Sequence, residues 1–140
     1  MEYRRFEQVC VIRLDPGEDV VEQVRAVAER EQIHLAAVQG LGAVDEFTVG
    51  VFDTAGKTYH ANHFQGSYEI VSLTGTVTTM DGQVYCHLHM SAGDDHGHVV
   101  GGHLNQARIS ATGELVLTVL PGEVDRRFSE EIGLNLFRFG

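Results

Sequence analysis

From residue 43 onward the sequence is a series of short β-branched and apolar runs, each closed by a turn signal. This punctuation constrains the fold more than any other feature. The runs are Val44 to Phe52, Lys57 to Phe64, Tyr68 to Thr79, Val84 to Met90, Val99 to Ser110 and Leu115 to Leu120. Between and after them stand Thr54-Ala55-Gly56, Gln65-Gly66, Asp81-Gly82, Gly93 to Gly97, Thr112-Gly113 and Pro121-Gly122. These residue types supply the torsions that turns require. Connections this short join antiparallel neighbours, because a parallel pair needs a crossover of about a dozen residues or more. A mainly antiparallel sheet is therefore expected.

The first third of the chain reads differently. Residues 3–14 look like one strand, apolar on both faces through Val9, Cys10, Val11 and Ile12, as suits an interior position. Asp15-Pro16-Gly17 ends it. Asp19 offers a helix N-cap, with Glu22 placed to complete a capping box. Val20, Val21, Val24, Val27 and Ala28 then recur at helical spacing. The pattern predicts a helix over about 19–32, with Glu22, Gln23, Arg25, Glu29 and Arg30 on its wet face. His34 to Gln39 reads as a short buried strand. Gly40-Leu41-Gly42 ends it where the backbone needs unusual torsions or close approach. The third glycine and following helix of a phosphate-binding loop are absent.

One α+β domain over residues 1–140 follows, with one main helix packed on the sheet. That length supports one core rather than two. The tail carries Ile132, Leu134, Leu136, Phe137 and Phe139, so it is expected to pack on the domain or on a partner subunit. No apolar run approaches the ~18–20 residues of a membrane helix. No apolar stretch with a small-residue cleavage site follows Met1-Glu2-Tyr3-Arg4-Arg5, so a cytoplasmic location is expected. Cys10 and Cys86 both fall in strand runs and read as free buried thiols.

The formal charge is −10, Lys57 is the sole lysine, and the nine arginines form no stripe. Nucleic-acid affinity rests largely on phosphate neutralisation, so this balance disfavours sequence-independent DNA binding by the domain alone.

Three histidines carry the chemistry. In Val84 to Met90, strand parity puts Tyr85, His87 and His89 on one face and Val84, Cys86, Leu88 and Met90 on the other, which is wholly apolar and faces the core. Asp95-His96-Gly97 can turn the chain back. In an antiparallel pair, opposed residues have a constant number sum. A turn centred near residue 95 sets His103 opposite His87, and one centred near residue 96 sets it opposite His89. Either register brings His103 onto the histidine face, with Gly101 and Gly102 leaving space beside it. Opposed Cβ atoms lie about 4.5–5.5 Å apart, near enough for imidazoles to share an ion. Three neutral nitrogens with an open fourth position suit Zn²⁺ first, then Ni²⁺, Co²⁺ or Fe²⁺. Glu69 is the candidate general base for metal-bound water. Asp94 and Asp95 read as turn residues, and His34, His60, His63, His96 and His98 as ordinary surface or strand-end residues.

Several stretches together resemble the PPC domain, the plant-and-prokaryote conserved domain that is joined to AT-hooks in plants. They are Arg13 to Asp19, Val38 to Ala43, Gly66 to Gly75, His87-Leu88-His89 and Gly101-Gly102-His103-Leu104. The resemblance implies an α/β domain with a mainly antiparallel sheet, assembled as a homotrimer. Prokaryotic members that keep the histidines look like zinc binders, which points again to His87, His89 and His103. Plant members act as DNA-associated regulators through a separate basic motif, and no Arg-Gly-Arg-Pro occurs here. Two functions are thus carried forward. One is a trimeric zinc protein with a water or small-molecule ligand at the metal. The other is a regulatory module that binds DNA or a protein, with the metal structural or sensory.

Overall fold

The first apolar run folds back on itself. In the computed structural model, which describes residues 1–140, β1 (Glu2–Phe6) and β2 (Val9–Leu14) pair antiparallel with Phe6 opposite Val9. The chain reverses at Glu7, whose φ of 52° lies in the left-handed region. A glutamate there gives no turn signal, so the single strand expected over 3–14 is a hairpin instead. Only one face of β2 enters the core: Cys10, Ile12 and Leu14 are buried, while Val11 is 46% exposed.

Two of the glycine-bearing breaks, and a third before them, bend strands without ending them. β3 (Ala36–Asp53), β4 (Thr58–Met80) and β6 (Val99–Val119) are each one long strand where the punctuation predicts two. Gly40-Leu41-Gly42, Gln65-Gly66 and Thr112-Gly113 fall at shifts of register in the β3–β4 and β3–β6 pairings. The expectation of unusual backbone at Gly42 holds. Its φ is 153°, it faces Gly113 across the ladder, and a Cβ there would sit 2.4 Å from the Thr112 carbonyl oxygen. Such glycines let a sheet curve while its hydrogen-bond ladder continues.

True reversals occur where the turn chemistry is strongest. Asp81 and Gly82, with φ of 52° and 75°, join β4 to β5 (Gln83–Gly93) as a two-residue hairpin turn. Asp94 organises the next loop, its Oδ1 accepting the backbone N–H groups of His96 and His98, each at 2.9 Å.

The sheet order is β1-β2-β6-β3-β4-β5, and β5 pairs with β6 as well. β6 is long enough to take two partners along one edge. Its Val99–His103 segment pairs with β5 and its Gly113–Thr118 segment with β2, while β3 occupies the other edge. The sheet thus closes through β3, β4, β5 and β6 at one end and splays to admit β2 at the other.

The helix α1 (Val20–Arg30) packs on β5 and β6 and buries Val20, Val24, Val27 and Ala28 as its spacing predicts. Asp19 Oδ1 accepts the Glu22 N–H at 3.0 Å, and Asp19 Oδ2 accepts the Ala107 N–H at 2.8 Å. One carboxylate therefore caps the helix and pins it to β6. The chain ends in a hairpin of its own, β7 (Asp125–Ser129) and β8 (Leu134–Arg138). The tail packs on the domain: Arg126 Nε donates to Thr78 Oγ1 of β4 at 2.8 Å.

Candidate metal centre

The parity of β5 is the parity read from the sequence. Leu88 and Met90 are buried at 1% and 2% exposure, and Val84 and Cys86 pack against the same core. His87 and His89 therefore project from the opposite face. No bulge interrupts β5–β6, and His89 stands directly opposite His103. This is the second of the two registers the sequence allows. The imidazole centroids are 5.2 Å apart for His87–His89, 5.2 Å for His87–His103 and 5.7 Å for His89–His103. One ligating atom from each residue lies within 4.8 Å of the other two.

The surroundings favour neutral rings. Burial, followed by the His103, Arg126 and His89 charges, pushes His87 down to about 4. His103 is lowered by burial and by His89. A metal ligand must offer an unprotonated nitrogen, so these two imidazoles are held in the ligating form at neutral pH. The donor set of three nitrogens fits zinc and its divalent neighbours and leaves a position open. Cys86 takes no part. It faces the core, where burial pushes its thiol up to about 11, and both cysteines are free as expected.

Small residues make room for the cluster. His103 lies opposite Gly50 on β3, and a Cβ on Gly50 would meet the Tyr59 hydroxyl at 2.4 Å. Tyr59 fills that space, its single O–H shared between Asn105 Oδ1 and, at 3.3 Å, the His103 carbonyl oxygen. Its ring meets the His103 imidazole edge-on at 5.9 Å between centroids.

A cavity of about 890 Å³ opens over the three imidazoles. Its far wall is the C-terminal hairpin, which contributes Arg126, Leu134, Asn135, Leu136 and Phe137. Arg126 is 6% exposed, and its guanidinium carbon sits 4.5 Å from the centroids of both the Tyr85 and Phe137 rings.

The other predicted residues lie elsewhere. Glu69 is exposed on β4, opposite Ala43 and Gly93, and does not line the cavity. Gly93 is four positions beyond His89, about 13 Å along the strand at about 3.3 Å per residue. His63 contacts Thr48 and Glu46, and His34 approaches Glu123, all near the surface. Sequence reasoning missed Tyr59, Asn105 and Arg126. Tyr59 and Arg126 share no spacing with the histidines, whereas Asn105 follows His103 by two, the strand period that could have found it; the apolar tail was the one signal that the far wall existed.

The model of the Plants and Prokaryotes Conserved (PCC) domain matches residues 1–121. The chain belongs to the PCC-domain family. This is the PPC family of the sequence resemblance. Among solved structures, a metal-containing protein from Archaeoglobus fulgidus is 34% identical with a TM-score of 0.87, covering 99% of this chain and 97% of its own. A Bacteroides thetaiotaomicron protein named for DNA binding is 28% identical with a TM-score of 0.96, covering 99% and 96%. An AT-hook motif nuclear-localized protein from Arabidopsis thaliana is 24% identical over 84% of this chain. This chain spans 28% of that protein's length, and 18% of the bifunctional protein GlmU of a Synechococcus strain, to which it is 29% identical over 89% of its own residues. In this PCC-domain protein the cavity has two sources. The histidines lie inside the matched residues, and the hairpin wall lies beyond residue 121.

Proposed function

We propose that His87, His89 and His103 hold one divalent transition metal, zinc first, with the fourth position open to water or a small molecule in the cavity. The observation that carries this reading is the convergence of three imidazoles from two paired strands beneath that cavity. The metal-containing relative at 34% identity supports it. When bound, the metal supplies Lewis-acid chemistry toward an oxygen ligand. His87 and His103 are kept unprotonated by burial, and Tyr59 fixes the backbone of His103.

A homotrimer is part of the proposal. It is supported by the family resemblance and by an outward groove where Val11, Leu41 and Val71 are 46%, 54% and 61% exposed. Glu69 lies too far along the strands to serve the metal of its own copy, so its role as general base requires a neighbouring subunit. The second reading, a DNA-associated or protein-binding module with a structural or sensory metal, is supported by the names of relatives. The charge of −10 weighs against its DNA form.

Metal analysis of the purified protein beside His87→Ala, His89→Ala and His103→Ala tests the site. One equivalent per chain in wild type and a large loss in each variant are expected, and unchanged content in all three overturns it. Light scattering should give three times the 15.4 kDa chain mass. Salt-sensitive retention of duplex DNA would move the assignment to the second reading.

A further inference from the structure

Charge is distributed oddly around the cavity. The chain carries twenty acidic residues, and none lines this cavity. The wall does contain one buried cation. Arg126 makes no ion pair, and its hydrogen bonds go to neutral oxygens: Nε to Thr78 Oγ1 at 2.8 Å, one terminal nitrogen to the Asn135 carbonyl at 2.9 Å and the other to Thr76 Oγ1 at 3.4 Å. A guanidinium has five N–H donors, so two are left over. A buried charge ordinarily carries a countercharge, because desolvation is costly without one. The flanking Tyr85 and Phe137 rings offset part of that cost.

The position of this cation matters. Thr76, which Arg126 touches, stands directly opposite His87 in the β4–β5 ladder. The uncompensated guanidinium is therefore one strand position from the imidazole cluster. Beside it, Leu134, Leu136 and Phe137 present apolar surface at 38%, 42% and 47% exposure.

Building on the metal reading, we infer that the cavity binds an organic acid. Its carboxylate lies between the metal and the free donors of Arg126, and its hydrocarbon part lies against Leu136 and Phe137. Arg126 is the residue that selects anions. The carboxylate supplies the countercharge that the protein withholds, and the planar guanidinium suits its two oxygens. An uncharged isostere leaves the cation unpaired.

Hexanoate and hexanamide are the probes, titrated calorimetrically into the zinc-loaded full chain. Hexanoate should bind about ten- to a hundredfold more tightly, the range expected for a hydrogen bond to a charged group. That preference should shrink in Arg126→Met to the smaller part that the metal alone supplies, with Arg126→Lys falling between that variant and wild type. Because Arg126 also anchors the hairpin, wild-type protein is read independently by its Arg126 Nε–H resonance, which hexanoate should shift and hexanamide should not. Equal affinity for acid and amide, or a silent Arg126 resonance, overturns the inference. Zinc content of the same samples separates the two readings. Full zinc without acid preference sinks the anion site alone. An Arg126-dependent preference in protein that takes up no zinc sinks the metal reading and leaves the anion site standing.

Discussion

Protonation is the simplest perturbation of this site, because two of its three imidazoles are held neutral by burial. An unfolded histidine titrates near 6.5, whereas folded His87 does so at about 4. Between those values the unfolded chain binds more protons than the folded one, so stability falls as pH falls through that window. His103 acts in the same direction. Metal-free protein should lose thermal stability between about pH 6.5 and 4, and His87→Gln should flatten the loss. Melting curves across that range check it, and an identical slope in the variant would remove His87 as the cause. The proposed metal would add its own dependence, since affinity should fall once any ligand is protonated. At this scale the sequence was highly legible. A period of two fixed which side of the strand each histidine takes, and only the choice between two registers needed the structure. Arg126 was illegible for the opposite reason: its partners Thr76, Thr78 and Asn135 lie on other elements, and no local pattern records them.

Elements were read well where side-chain period governs them and less well where backbone geometry does. The helix is where the valine spacing puts it. The β1–β2 reversal was missed because Glu7 adopts a left-handed conformation without glycine. The opposite error made strand ends of Gly40-Leu41-Gly42, Gln65-Gly66 and Thr112-Gly113. A glycine that relieves crowding inside a curved sheet and one that reverses a chain look alike in sequence. What separates them is whether a partner strand runs on past the glycine, as β6 does beyond Gly113. Asp19 illustrates how one residue can serve two elements at once. Of the expected capping box only the Asp19 half forms, accepting the Glu22 N–H, and the structure adds the Ala107 N–H of β6. Asp19→Ala should therefore cost more than an ordinary cap, about 2–3 kcal/mol from a lost cap and an orphaned strand amide. Urea unfolding measures it, and a loss below about 0.5 kcal/mol would show that the bridge to β6 contributes little.

For the molecule as a whole, the acidic surface and the acid-free cavity are two sides of one arrangement. With a net charge of −10, the fold works against its own repulsion, and only part of it is relieved by ion pairs such as Arg108 with Asp45 and Glu46. Screening should help. The melting temperature at pH 7 is expected to rise as sodium chloride goes from a few millimolar to about 0.15 M, where the Debye length is ~8 Å. A fall over that range would mean that specific ion pairs outweigh the repulsion.

The closure of the sheet has a mechanical side. Five residues of β5, His89 to Gly93, meet five of β6, Val99 to His103, and this short seam is what shuts the barrel. His87 and His89 stand on one lip of the seam and His103 on the other. An ion held by both lips, as proposed, would stiffen the closure. Its presence should register as slowed amide hydrogen exchange at Ser91, Ala92 and Val100, while amides of β1 and α1 keep their rates. The barrel would thus carry its metal occupancy as rigidity, concentrated along one edge.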